Sequence, residues 1–435
     1  MPRALKVEPS IEELLVAGND RRISLDPATG LNKYGCPPRP DPALLAFGSS
    51  TASVISVSSF DEVSRQHERL LKGADTLEKA WQRVSEALLS DVSDMGASLA
   101  FASSGTDAHA LAVRSLSAFS KLFVLMVEES ETGSGVRAAM SIYHPEVKAV
   151  SIRKQDGMPR SAEDIDPEVV ASVESAVARG CHVLLVMIDQ SKTGMISPSV
   201  SCAMALRKRY PEKISVLVDA CQFRMAPPTL RAYLSQGFMV AITGSKFLTG
   251  PAFSAALMLP QGFDLEIQEK KDMGLLLRWE AALVEYRRFH ALSQSQITNI
   301  MESFGETVRK RLAEDSRFES LTVPALDRRP LVTDASWDQL HSIFPFLLYH
   351  RGQPLNHEET QRIYRLLQES DSNVIVGQRC QLGQPVFCGK GRSALRIALS
   401  ARLISDAADQ GMDGLLNDVL AVLDKTAYLV DKIRD

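Results

Sequence analysis

The chain has 435 residues, 45% of them hydrophobic and 23% charged; that is ample for a packed core and long enough for two lobes, because single cores rarely exceed about 250–300 residues. A formal charge of −4, with no basic run, offers no attraction to nucleic acid or anionic lipid. No stretch reaches about 18 unbroken apolar residues and the first residues lack an apolar signal core, so neither a membrane span nor export is expected and the cytoplasm is the expected location.

Residues 1–60 include LNKYGCPPRPDP, where three prolines in four positions forbid a helix and suggest an extended arm, part of a small domain or of a dimer interface. From Phe60 to about Ser93, apolar residues recur at helical spacing (Val63, Leu70, Leu77, Trp81, Val84, Leu88). Short apolar runs then alternate with helical patterns: ASLAFA, KLFVLMV, KAVSI, HVLLVMI, ISVLV, FMVAI and SAALML, interleaved with TDAHALAVRSLSAF, DPEVVASVESAVARG and VSCAMALRKRY. Such alternation predicts an α/β fold with a mostly parallel sheet covered on both faces, placed at 61–295. The remainder, 296–435, follows the helical pattern AALVEYRRF onward and carries LTVPAL, FPFLLY and LRIALS as candidate strands of a smaller α+β lobe. Six cysteines (Cys36, Cys181, Cys202, Cys221, Cys380, Cys388) form no CxxC pair, which argues for reduced thiols and against a zinc site or disulfide framework.

In open α/β sheets ligands bind outside the carboxyl ends of the strands, so polar residues just after apolar runs are where chemistry is sought. Ser103-Ser104-Gly105-Thr106-Asp107 follows one run and opens a helical pattern; small residues there let N–H groups and hydroxyls close on a phosphate, although the same residues also serve as an ordinary helix cap. Asp219-Ala220-Cys221-Gln222 ends a run so apolar that its carboxylate needs a cationic partner, either a protonated pyridine nitrogen or an arginine such as Arg224. Thr243-Gly244-Ser245-Lys246 puts an amine at the end of the next strand, where burial favours the unprotonated form that Schiff-base chemistry requires. A lysine snorkelling from a strand end is the plainer alternative.

Taken in order, VDACQ, TGSK and TGP resemble the class V aminotransferase and cysteine desulfurase branch of the fold-type I pyridoxal 5'-phosphate (PLP) enzymes, whose pattern is Asp-x-x-Gln, then Ser/Thr-x-x-Lys, then Gly-Pro. The resemblance implies that Lys246 holds the cofactor aldehyde, Asp219 pairs its ring nitrogen and Gln222 approaches its phenolic oxygen. It also implies that Ser104, Gly105, Thr106, Thr243 and Ser245 surround the phosphate. DQSKTGMISP looks like the family segment on the phenolic side, with Ser191 where Asn or Thr is usual. LRIALSARL looks like its Arg-x-Ser strand, so Arg396 is expected to grip the substrate carboxylate. A homodimer and a small-molecule amino acid or keto acid substrate are implied likewise. Two departures stand out: EESETGSG occupies the place where the family stacks a ring on the cofactor, and Ser245 replaces a His before the lysine. Tyr143 or His144 folding back would supply a ring, and the ETGSG run is a candidate for a further flexible, hydroxyl-rich edge of the site. Asn32, Lys33, Tyr34, Ser49 and Ser50 are candidates for the substrate entrance.

An aminotransferase is the first expectation. A β-eliminating lyase, cysteine desulfurase or selenocysteine lyase comes second: GQRCQLGQPV puts Cys380 on a candidate loop 16 residues before Arg396, although Arg379 stands where a His is common. Decarboxylase or racemase chemistry ranks below these, and a catalytically silent protein of the PLP fold is the alternative of another class.

Overall fold

The computed structural model describes residues 8–18, 22–48, 53–263, 272–370 and 377–434. Strand β1 (Leu45–Phe47) lies in the arm. Strands β2 (Ser98–Ala102), β3 (Leu122–Val127), β4 (Glu146–Val150), β5 (His182–Asp189), β6 (Ile196–Ser197), β7 (Ile214–Ala220), β8 (Met239–Thr243) and β9 (Ala255–Leu259) form one sheet, in the order β2-β9-β8-β7-β5-β3-β4 with β6 on β5. Neighbours among β3, β4, β5, β7 and β8 run parallel, and only β9 opposes both of its neighbours. Every residue of β5, β7, β8 and β9 is buried. That is why these runs read as continuously apolar: side chains alternate between two covered faces. Along β5, Val183, Leu185 and Met187 enter one core while Leu184 and Val186 enter the other.

A second sheet gathers β10 (Phe318–Ser320), β11 (Ile343–His350), β12 (Gln353–Pro354), β13 (Cys380–Phe387) and β14 (Ser393–Ala398), in the order β1-β13-β14-β11-β10 with β12 on β11. The arm's β1 therefore joins this sheet, parallel to β13.

Three expectations need correction. LTVPAL is not a strand; β10 ends just before it, and after Leu321 N–H donates to Pro345 O (2.9 Å) the chain leaves the sheet at Pro324, which has no N–H to offer. The segment holding Cys380 is not a loop but β13, disguised in sequence by Gly383 and Pro385, and its register with β14 shifts between Gly383 and Val386. The helical pattern from Phe60 is two helices, Val57–Leu71 and Leu77–Leu89, because the Thr76 side chain caps the second by accepting from Lys79 N–H.

The two sheets are bolted together beside the end of β8. Buried Arg224 donates from Nη1 to Leu399 O (2.6 Å) and Ser342 Oγ (2.9 Å), and Ala401 N–H donates to Phe247 O (2.9 Å). A second tie is Arg328, whose Nε and Nη2 each lie 2.7 Å from an oxygen of Asp189 at the end of β5. Tyr233 also donates to Asp189 (2.8 Å).

Candidate active site

A cavity of about 270 Å³ opens at the carboxyl ends of β7 and β8. Its first wall is the N-terminus of the helix Gly105–Ser115. Ser104 caps it by accepting from Asp107 N–H (3.3 Å), and among the described residues nothing accepts from the N–H groups of Gly105 and Thr106. These exposed donors, with the positive end of the helix dipole, make an anion site. A Cβ at Gly105 would stand 2.9 Å from Cys221 Sγ, so only glycine lets the helix start this close to β7.

The second wall is Asp219, 5% exposed. Its Oδ1 accepts from Cys221 N–H (3.2 Å) and its Oδ2 from Thr132 Oγ1 (2.8 Å). One helical turn after Gly105, His109 presents Nε2 to the same Oδ2 at 3.3 Å while its Nδ1 meets Gly105 O at 2.6 Å. Nδ1 is hydrogen-bonded to Gly105 O and Nε2 stands in ion-pair range of Asp219 without a hydrogen bond, a setting that favours the imidazolium. Burial is the largest influence on His109 and pulls it toward neutrality, but Asp219 and Gly105 O together outweigh it and the net shift is upward. Burial likewise raises Asp219, and it is overridden by His109, with Lys246 and Thr132 adding to the pull; the carboxyl falls well below the usual range.

Lys246 is the third wall. Gly244 and Gly250 let its turn lie flat on the helix Met273–His290, since a Cβ at either would come within 2.7 Å of Ala282 Cβ. The lysine is half-buried, lines the cavity and makes no hydrogen bond among the described residues.

Ser104, Gly105, Thr106, Asp219, Gln222, Thr243, Ser245, Lys246 and Arg396 all border this one cavity. The Thr243 hydroxyl spends its proton on Cys221 O (2.7 Å), which leaves it an acceptor. Ser191 lies outside the lining: Gln190, at φ +62°, turns the chain so that the Ser191 hydroxyl donates to buried Glu131 (2.7 Å). Cys380 also lies off the cavity, fully buried at the start of β13, its thiol donating to Gln378 O (3.5 Å) and pushed by burial up to about 11. Tyr143 and His144 are outside the lining as well; Thr132, within the ring-less EESETGSG stretch, serves Asp219 instead. At the entrance Tyr34 borders the cavity, and Asn32 shapes the turn behind it by accepting from Tyr34 and Cys36 N–H. Ser49 and Ser50 fall outside the described residues.

Sequence reasoning missed His109 and Lys192 and the role of Glu131, whereas the ETGSG run holding Glu131 and Thr132 borders the cavity as expected. His109 was accessible in principle, because the i, i+4 spacing from Gly105 puts it on the helix face that starts the anion site. Glu131 carries no outward signal: it is held by Arg153 Nε (2.7 Å), Ser191 and Thr193, contacts between distant segments.

The sheet order with β9 antiparallel between β2 and β8, the covering helices and the second, mainly antiparallel sheet define the fold of fold-type I PLP enzymes. The structure of a NifS-like protein from Rickettsia africae superposes with a TM-score of 0.58 at 14% identity, over 89% of this chain and 99% of that one. The glutamate decarboxylase domain of a Vibrio parahaemolyticus diaminobutyrate-pyruvate transaminase and L-2,4-diaminobutyrate decarboxylase gives 0.56 at 13%, over 90% and 81%. Oryza sativa TDC with PLP gives 0.54 at 12%, over 90% and 84%. No family model and no curated protein matches the sequence. Among the described residues no helix is long and apolar enough to cross a membrane.

Proposed function

We propose that this chain is a PLP-dependent enzyme acting on an amino acid through Lys246, and specifically an aminotransferase of the class V type. The observation that carries the reading is the convergence of an unpartnered lysine amine, a carboxylate held ionised and a helix N-terminus on a single cavity. These three groups fit the aldehyde, the pyridine nitrogen and the phosphate of one molecule. When bound, PLP supplies an electron sink for the pair left behind when a bond to the substrate α-carbon breaks.

The chain's own residues divide the remaining work. Gly105 and Thr106 N–H groups would hold the phosphate with the Ser245 hydroxyl at its edge, whereas the Ser104 and Thr243 hydroxyls already donate to Asp107 and Cys221 O and would only shape its surround. Asp219 would keep the ring nitrogen protonated, and Gln222 would reach the phenolic oxygen. The Lys246 amine would take the α-proton and return it to a neighbouring carbon, after which water must be admitted to break the carbon–nitrogen bond and release the keto acid. Arg396 orients the substrate by its carboxylate. Transfer is favoured over desulfurisation because the Cys380 thiol is sequestered and held protonated, so neither the position nor the thiolate that a sulfur acceptor needs is provided. A homodimer and a cytoplasmic location belong to the same reading; the first is checked by sedimentation, and all six cysteines being free thiols accords with the second.

Purified protein given PLP is expected to absorb at the visible edge, to be bleached by borohydride and then to carry the pyridoxyl group on the peptide holding Lys246. In Lys246→Ala the label vanishes and turnover falls by about 10²–10⁴-fold; label and turnover left intact would falsify the reading. An amino acid screen should yield keto acid without sulfide. Sulfide release that is lost in Cys380→Ala would replace the transferase with a desulfurase.

A further inference from the structure

We propose that the substrate amino acid carries a second acidic group, with its α-carboxylate on Arg396 and its side-chain anion on Lys192; this rests on the function proposed above. Arg396 is 2% exposed. Its Nε and Nη2 both donate to Gln384 O (3.3 and 2.9 Å), and Nη1 donates to the backbone oxygen of Lys192 (3.1 Å). Three of its five N–H groups are thus engaged, leaving one hydrogen on each of Nη1 and Nη2 for a carboxylate.

Lys192 stands next to it on the same cavity wall. Its ammonium makes one hydrogen bond, to Glu129 O (3.0 Å), and has two donors to spare. Among the described residues neither cation belongs to an ion pair. The neighbouring carboxylate, Glu131, is already engaged by Arg153 (2.7 Å), Ser191 (2.7 Å) and Thr193 (2.8 Å). Burial, with Arg396 alongside, pulls the Lys192 ammonium down to about 8 although Glu131 opposes the shift. A buried Arg396 with a half-buried Lys192 beside it and no anion between them is unfavourable until a ligand neutralises both. The cofactor phosphate is provided for elsewhere, at Gly105 and Thr106. A monocarboxylic amino acid would satisfy only one of the pair.

The test uses glutarate and butyrate, which lack an amine and cannot react, titrated calorimetrically into the protein with and without PLP. Glutarate is expected to bind at least about 10-fold more tightly than butyrate. Lys192→Met should erase that preference and Lys192→Arg should keep it. Equal affinities in the unmodified protein overturn the proposal. So does an equal weakening of both acids in Lys192→Met, which would put both cations on one carboxylate. Should Lys192→Met not fold, the unmodified protein still answers: its preference for glutarate should fade from pH 7 to 9 as Lys192, facing Arg396, Glu131, Lys246 and Glu129, loses its charge. A protein that binds no PLP fails the functional reading, whereas one that binds PLP without preferring the diacid fails only this inference.

Discussion

β5 and β7 are neighbouring parallel strands, and each carries an aspartate at its carboxyl end, yet the two ends differ in what they leave open. Asp189 is closed on itself by a two-pronged Arg328 and by Tyr233, and it does not reach the cavity. Asp219 has an imidazolium and a hydroxyl on one oxygen and a single N–H on the other, and it faces the cavity. An acid at a strand end is therefore not itself a signal of chemistry. What separates a structural acid from a functional one is whether the protein supplies the whole of its counter-charge geometry or leaves one side for a ligand.

Substitutions can break this contrast. The largest effect is expected from Asp189→Ala, which strands Arg328 in the interior and should destabilise the fold by about 3–5 kcal/mol in denaturant titration. Asp219→Asn, which keeps the shape and leaves Arg328 paired, should unfold at a denaturant concentration closer to that of the unmodified protein while losing turnover. If the two variants lose stability equally, the contrast is wrong. Arg396→Lys comes next: an ammonium cannot reproduce a guanidinium's paired donors, and KM for the amino acid should rise about 10–100-fold with little change in folding stability.

The smallest effect is a pH dependence. His109 is shifted upward by folding, so its pairing with Asp219 contributes fully below its unfolded value of roughly 6.5 and is lost as pH rises through the higher folded value. The stability advantage of the unmodified protein over His109→Gln should thus be greatest near pH 6 and shrink in alkaline solution, with Asp219, Gly105 O and Lys246 as the groups that face the ring. A constant advantage across that range would mean that the ring is neutral and merely packed.

Legibility in the sequence followed the same division. The runs that became β3, β5, β7, β8 and β9 were readable because strands buried on both faces must be apolar throughout. Asp219 and Lys246 stood out only in combination with the Ser-Ser-Gly-Thr turn upstream, because Asp189 shows that a charge directly after such a run can equally be structural. β13 was not, since Gly383 and Pro385 at a register shift erase the pattern of a strand. Nor was Glu131, because its meaning lies in Arg153, Ser191 and Thr193, brought to it only by the folded sheet. Lys192 was in view within DQSKTGMISP and was passed over for Ser191; the left-handed turn at Gln190 that swaps which of the two faces inward has no sequence mark, since glutamine is an unusual residue for it.

Arg224, reaching from the end of β7 to Leu399 and Ser342, fixes the two sheets to each other close behind the lysine turn. The Arg328–Asp189 pair is a second fastening, and at the cavity mouth Arg396 on β14 donates to Lys192 O (3.1 Å). The lysine turn is thus enclosed by a frame pinned at three places, more a vice than a jaw, and a ligand must fit the gap that those pins set.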